Sequence, residues 1–337
     1  MAKNNNLHTA KTAKNDEFYT MLTDIEKEMR YYKDFFKGKV VYCNCDDARE
    51  SNFFKYFSLN FEFLGLKKLI STGYKADGKG VVLVYEGDKN SNRRVDNEEI
   101  IVNELNGDGD FRSEECIEYL KECDVVVTNP PFSLFRQYVQ QLMDYGKKFI
   151  IIGNQNAITY KEIFPYIKDN KIWLGINSGK SMEFSMPMSY EKWDRIEGNR
   201  KYGKVPGISW FTNVPYVYER KPLILTKSYY DNPSAYPKFD NFDAINVDKV
   251  ADIPMDYDGI MGVPITFLNN YCPSQFTIIG LGISNSGLSC GVEPYKKQWR
   301  NYRTNVQKRA AVDGDLYMVI NQEVKVPYAR ILIKKLS

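Results

Sequence analysis

The chain has almost no histidine: one residue in 337, His8, set in a polar opening stretch, MAKNNNLHTAKTAKND. That removes the commonest general base and a common zinc ligand from any site built elsewhere. The six cysteines, at 43, 45, 116, 123, 272 and 290, form no C-x-x-C pair. No metal site is expected from them, and reduced cytoplasmic thiols are. Long apolar runs are missing as well. KFIIIGN at 148–154 is among the longest and falls well short of a bilayer span, so no membrane segment is expected. The opening stretch carries no apolar signal core, which predicts a cytoplasmic chain. Neither sign of charge dominates: 46 Lys and Arg stand against 43 Asp and Glu, a net +3, which neither demands nor excludes a polyanionic partner.

What the chain does have is alternation. Thr23 and Glu26 fit a capping box, and Ile25, Met29, Tyr32 and Phe36 keep helical spacing until Gly38, so a helix opens the folded part. A strand-like run at 40–44 leads into an acidic turn, Cys45-Asp46-Asp47, and then an aromatic helix, ESNFFKYFSLNFEFLG. LKKLIST, EIIVNEL, CDVVVT, KKFIIIGN and KIWLGIN read as further strands, with helices expected over 113–122, 133–145 and 159–168. Strands alternating with helices predict an α/β fold, a doubly wound, mostly parallel sheet covered on both faces. Residues 74–98 break the rhythm and read as a surface excursion. Past 177 the pattern loosens: GISWFTNV and KPLILT read as late strands, and 178–206 reads as a basic, loop-like insertion.

In such a sheet ligands bind beyond the carboxyl ends of the strands, beside the point where strand order reverses. Two strand ends carry polar chemistry. One is Cys45-Asp46-Asp47. The other is the end of CDVVVTNPPFSLF, where Asn129, Pro130, Pro131 and Phe132 follow a run of valines. Two prolines remove two backbone donors and fix two φ angles, leaving carbonyl oxygens and an Asn amide held stiffly. The turn reads as a prepared acceptor site. A stiff end to a strand is the plainer alternative.

TNPPF in this setting resembles the catalytic motif of S-adenosylmethionine-dependent amino-group methyltransferases, and the chain is similar to the EcoRI-type adenine-specific DNA methyltransferases. The likeness spans nearly the whole chain, through DEFYT, VVYCNCDD, SNFFKYF, GDGDFRS, VVTNPPFSLF, KIWLG and GVPITFL. It implies the methyltransferase fold, S-adenosylmethionine as cofactor and double-stranded DNA as substrate. It also implies Asn129, Pro130, Pro131 and Phe132 as catalytic residues acting on a flipped adenine, and a cognate restriction endonuclease that acts on the same site without forming a complex. Phe18, Tyr19 and Thr20 would close over the cofactor's methionine end, Asp46 or Asp47 would hold its polar groups, and Asp110 and Phe111 would meet its adenine. The sequence departs from broader methyltransferases in two places: CNCDDARES replaces a glycine-rich loop, and LISTGYK has no acid where the ribose is usually held.

From Pro294 to Val312 the chain carries Lys296, Lys297, Arg300, Arg303, Lys308 and Arg309 with no acidic residue. Phosphate contacts by Lys296, Arg300 and Arg303 are the favoured reading. Tyr295, Trp299, Tyr302 and Val306 share helical spacing, so a solvated helix with an inward aromatic stripe is the alternative. The organisation expected is a basic arm at 1–16, a catalytic domain at 17–226 with the 178–206 insertion, and a target-recognition region at 227–337. Rival functions are methylation of protein glutamine or ribosomal RNA guanine, and a non-catalytic DNA-binding relative. The DNA target sequence is not legible.

Overall fold

The computed structural model describes residues 19–45, 47–76, 78–186, 188–191, 193–215 and 220–336. The expected arm at 1–16, Phe18 and Asp46 lie outside them. The chain divides into two compact units, one of Met1–Ala157 with Ile172–Tyr218, the other of Ile158–Lys171 with Glu219–Ser337.

The first unit is built on strands β1 (Tyr19–Thr20), β2 (Val40–Cys43), β3 (Lys68–Gly73), β4 (Val81–Tyr85), β5 (Ile100–Glu104) and β6 (Val125–Thr128). These are followed by β7 (Lys148–Asn154), β8 (Trp173–Leu174), β9 (Met182–Met186), β10 (Arg195–Glu197), β11 (Arg200–Val205) and β12 (Ile208–Thr212). Eight of them form one sheet in the order β5-β4-β3-β2-β6-β7-β12-β8. The centre is parallel, with Val40 opposite Lys68, Val41 opposite Val125 and Val126 opposite Phe149. Its strands are short runs of Val and Ile because both faces are covered. Val41, Val127 and Ile152 pack with Phe53, Phe57 and Trp210 in the main core. On the other face Tyr42 meets Tyr119, and Phe135 meets Phe211.

The covering helices are α1 (Leu22–Met29), α2 (Asn52–Leu59), α3 (Glu114–Glu122) and α4 (Phe135–Asp144). Ser51 caps α2 by accepting the Phe53 N–H at 3.2 Å, and Ser113 caps α3 by accepting that of Cys116 at 3.3 Å. The Thr23 capping box does not form. The chain comes straight from β1, so Met21 takes the cap position and its carbonyl accepts the N–H groups of Asp24 and Ile25.

The sheet is mixed, not mostly parallel. Residues 74–98, expected as an excursion, contain β4, antiparallel to both β3 and β5 with Val82, Leu83 and Tyr85 buried. The link at 74–80 is too short for a crossover helix, which forces the antiparallel return. On the far side β12 lies antiparallel to β7 and β8. The expected insertion loop is also ordered: β1, β9, β11 and β10 form a second, antiparallel sheet. The period-two run MEFSM sends Met182, Phe184 and Met186 into the main core. KIWLGIN shortens to β8 because Ile176 and Asn177 give their N–H groups to the buried Glu28 carboxylate, at 2.9 and 2.8 Å, instead of to a strand.

In the second unit β13 (Ile245–Asn246), β14 (Met261–Pro264), β15 (Phe276–Gly282) and β18 (Arg330–Lys335) form a sheet in the order β13-β14-β18-β15, and β16 (Met318–Ile320) pairs with β17 (Glu323–Lys325). KPLILT is not a strand. The N–H and carbonyl of Leu223 are both taken by the Gln275 side chain, at 2.7 and 2.8 Å, and Ile224 is exposed. The expected helix at 159–168 is limited to Phe164–Lys168, with Pro165 in its first turn. Among the described residues no helix is long and apolar enough to cross a membrane.

Candidate active site

Strand order reverses between β2 and β6: the chain leaves β2 for β3 on one side and returns to β6 on the other. The two polar strand ends are therefore side by side. Asn44, just past β2, and Thr128, the last residue of β6, are both buried. The Thr128 hydroxyl donates to the Asn44 carbonyl, and the Tyr138 hydroxyl on α4 donates to the Asn44 side-chain oxygen. Tyr138 also takes the ring of Phe111 edge-on, with centroids 4.9 Å apart at 77°. Gln141 Nε2 holds the Phe111 carbonyl at 3.0 Å. One run of contacts thus joins the Asp110-Phe111 loop, the end of β2 and the start of the acceptor turn.

The acceptor turn leaves β6 through Asn129 and Pro130, both buried, and Pro131 and Phe132, both half-buried. The Pro131 carbonyl accepts the Leu134 N–H at 2.9 Å, closing a single turn, Phe132–Leu134, that feeds into α4. Phe132 rests on the rim of the main core. Fixed proline φ angles, this closing bond and the following helix remove most of the turn's freedom.

After β2 the chain makes its bend at Cys45, with φ 75°. A non-glycine residue thus occupies the left-handed conformation in the place of the missing glycine-rich loop. Asp47 is exposed; its carboxylate accepts the Arg49 N–H at 2.9 Å, and its carbonyl accepts that of Ser51 at 2.8 Å, turning the chain into α2. Asn52 Nδ2 donates to the Thr20 carbonyl at 2.8 Å. Tyr19 and Thr20 pair with Ser185 and Phe184, and the Asn52 bond ties Thr20 to the first turn of α2. The Thr20 hydroxyl is buried with no hydrogen-bond partner. A buried polar atom left so is a place for a ligand group to bind.

The loop after β5 folds back over the end of β3: Lys75 N donates to Asp108 O at 2.8 Å and Gly80 N to Gly107 O at 2.9 Å. A Cβ on Gly80 would meet the Gly73 carbonyl at 2.7 Å, so only glycine allows this approach. The loop presents Asp110, whose carboxylate Arg112 grips at 2.6 and 2.8 Å. That guanidinium holds the Asp110 carboxyl below the usual carboxylate range.

The basic run lies in the second unit. It forms a short helix, α5 (Lys297–Asn301), continued by a wider turn over Tyr302–Val306. Tyr295 is buried and stacks on Tyr317 at 4.4 Å; Trp299 and Tyr302 pack against the same cluster, and Val306 is exposed. Lys296 is exposed. Arg300 bonds Asp313, just past the acid-free stretch, and the Ala311 carbonyl at 3.2 Å. Arg303 is buried against the Ala310 carbonyl and Gln307. The site residues that the sequence did not single out are Asn44, Asn52 and Tyr138. Tyr138 shares the buried face of α4 with Phe135, Val139 and Leu142 and looks like core until its hydroxyl is followed.

Residues 6–336 match the family model described as adenine-specific methyltransferase EcoRI. The type II methyltransferase M.EcoRI of Escherichia coli is 50% identical over 310 residues, 87% of this chain and 95% of that protein. M.MpnI of Mycoplasma pneumoniae is 40% identical over 332 residues, and M.MgeORF184P of Mycoplasma genitalium 38% over 333, each covering 97% of both chains. A solved putative RNA methyltransferase from Pyrococcus horikoshii, 14% identical over 64% of this chain and 99% of that one, superposes with a TM-score of 0.28, too loosely to carry an argument.

Proposed function

The chain belongs to the family of adenine-specific methyltransferase EcoRI, and on that footing we propose that it methylates adenine N6 in duplex DNA with S-adenosylmethionine as donor. In this reading it is the modification enzyme of a restriction-modification pair. A cognate endonuclease acts on the same site without forming a complex with it. The observation that carries the reading is the Asn129–Phe132 turn, stiffened by two prolines and tied through Thr128 and Asn44 to the strand end beside it.

An exocyclic amino nitrogen is a poor nucleophile because its lone pair is delocalised into the base. Asn129 Oδ1 and the Pro130 carbonyl accept its two hydrogens, which favours a pyramidal nitrogen and needs no titrating base. Phe132 stacks on the flipped adenine. When bound, S-adenosylmethionine supplies an electrophilic methyl group on a positively charged sulfur. Tyr19, Thr20, Asp47, Asp110 and Phe111 hold it, the Thr20 hydroxyl gaining the partner it lacks. In the second unit, residues 227–337 form the target-recognition region. Lys296, the outermost of the three basic residues, meets phosphate directly, while Arg300 and Arg303 brace the segment beneath it.

The test is to incubate the protein with labelled cofactor and unmodified DNA, digest to nucleosides and identify the labelled base. N6-methyladenine is expected. Label in cytosine, RNA or protein would overturn the assignment.

A further inference from the structure

Resting on the target-recognition reading above, we infer that the tip of the β16–β17 hairpin, Asn321-Gln322, reads an A·T base pair of the target, other than the methylated one, through the major groove. These two residues alone join the strands, and both take positive φ, 51° and 63°. A two-residue hairpin turn asks for that conformation, and glycine usually fills its second position. Asparagine tolerates it, but glutamine is strained there. Both side chains are exposed, and among the described residues neither is hydrogen-bonded. Glutamine in glycine's place, at a solvent-facing tip, does nothing for the turn and leaves its amide open to a partner.

The tip is held from beneath. Val319 and Val324, paired across the ribbon, pack into the cluster of Tyr295 and Tyr317, while Met318 and Ile320 pack with Phe239 and Leu332. The Asp240 carboxylate accepts the Val319 N–H at 2.6 Å, and Gln307 Nε2 donates to the Val324 carbonyl at 2.9 Å. This second bond and the shared aromatic cluster fix the hairpin against the basic segment, on which Lys296, Lys297, Lys308 and Arg309 are exposed. Cations beside a narrow two-stranded ribbon suit duplex DNA: the cations meet phosphate, and the ribbon fits the major groove, about 12 Å wide. An Asn or Gln amide ends in one donor and one acceptor, which match N7 and the N6 amino group of adenine in that groove. In the minor groove an A·T pair shows only acceptors. Glu323, exposed at the start of β17, repels phosphate, which favours a tip seated between the two backbones over one lying on either.

Methylating a library of randomised DNA duplexes with S-adenosylmethionine, and sequencing the positions of N6-methyladenine, tests this. The parent protein is expected to give one consensus around the methylated adenine. Asn321→Gly and Gln322→Gly delete the amides while keeping the turn, because glycine takes positive φ without strain, so stability in urea should hold or rise. In at least one of the two, the preference for A·T at one further position should fall roughly fivefold to a hundredfold, the scale of one bidentate base contact. The salt slope of DNA binding should stay at the parent value, since no phosphate contact is lost. Glycine variants that reproduce the parent consensus at every position would overturn the inference. So would an equal loss of methylation on all sequences, or a lowered salt slope, either of which would make the tip a backbone contact. A parent that methylates no adenine in the library would overturn the underlying function reading instead.

Discussion

If Asn44 is the joint between the two functional strand ends, its two anchors must act as a pair. Tyr138→Phe removes only the hydroxyl that donates to the Asn44 side chain; the ring, and its edge contact with Phe111 at 4.9 Å, stays. Thr128→Val removes the donor to the Asn44 carbonyl at nearly constant volume. All three residues are buried, so water does not replace the lost donors. Each substitution leaves one buried acceptor unsatisfied and should cost about 1 to 3 kcal/mol. The two donors hold the same residue, so once one is gone Asn44 can shift and the second bond is worth less. The double mutant should therefore fall short of the sum of the singles by about 0.5 kcal/mol or more. Urea unfolding of the four proteins supplies the stability cycle, and S-adenosylmethionine titration on the same samples supplies the functional one. The single variants should bind cofactor more weakly while keeping near-parent affinity for DNA. Additivity in stability, together with unchanged cofactor affinity, would refute the claim that Asn44 couples the strand ends.

Asn129→Ala should slow the single-turnover methylation step by on the order of a hundredfold or more, the loss expected for one preorganised hydrogen-bond partner, with much smaller changes in cofactor and DNA affinity. Phe132→Ala should also reduce the fluorescence rise of 2-aminopurine at the target position, since stacking worth roughly 1 to 3 kcal/mol per base is lost. Lys296→Gln should weaken binding to all DNA sequences and lower the salt slope by roughly one unit without changing stability, whereas Arg303→Ala should destabilise the protein because it frees the Ala310 carbonyl and Gln307. Asp110 is held below its unfolded value by Arg112, so that contribution is present at neutral pH and lost as the pH falls through the depressed folded value. The stability gap between the parent and Arg112→Gln, read by urea unfolding, should accordingly be wider at pH 7 than in strong acid.

The central parallel strands were legible because burial on both faces leaves a mark, short runs of Val and Ile, that needs no knowledge of the partner strand. β4 carries a similar run, VVLVY, yet its place beside β3 depends on a link too short to cross over, which the alternation pattern does not register. KPLILT has strand composition, but its hydrogen bonds go to Gln275, some fifty residues away, so local propensity misleads. The small sheet was hidden for a different reason: Gly, charge and aromatic residues between 178 and 206 resemble a loop until MEFSM is paired on both sides. At the site, Asn129 to Phe132 stood out because two prolines after a valine run are conspicuous. Tyr138 did not, because its bond to Asn44 spans 94 residues and no periodicity reports it.

The segment Ile158–Lys171 belongs to the second unit although the chain on both sides of it belongs to the first. On the ribosome this sets an order of events. Ile163, Phe164 and Ile167, buried in the finished protein, are made before residues 219 onward, which supply the rest of their unit. At ordinary translation rates they wait on the order of ten seconds for β15 to be synthesised. During that interval the strand of its own unit against which the Phe164–Lys168 helix packs does not yet exist, while residues 172–218 return to complete the first unit. Neither unit can be produced as an uninterrupted piece of chain, and a stop at residue 218 would leave the Phe164–Lys168 helix without β15.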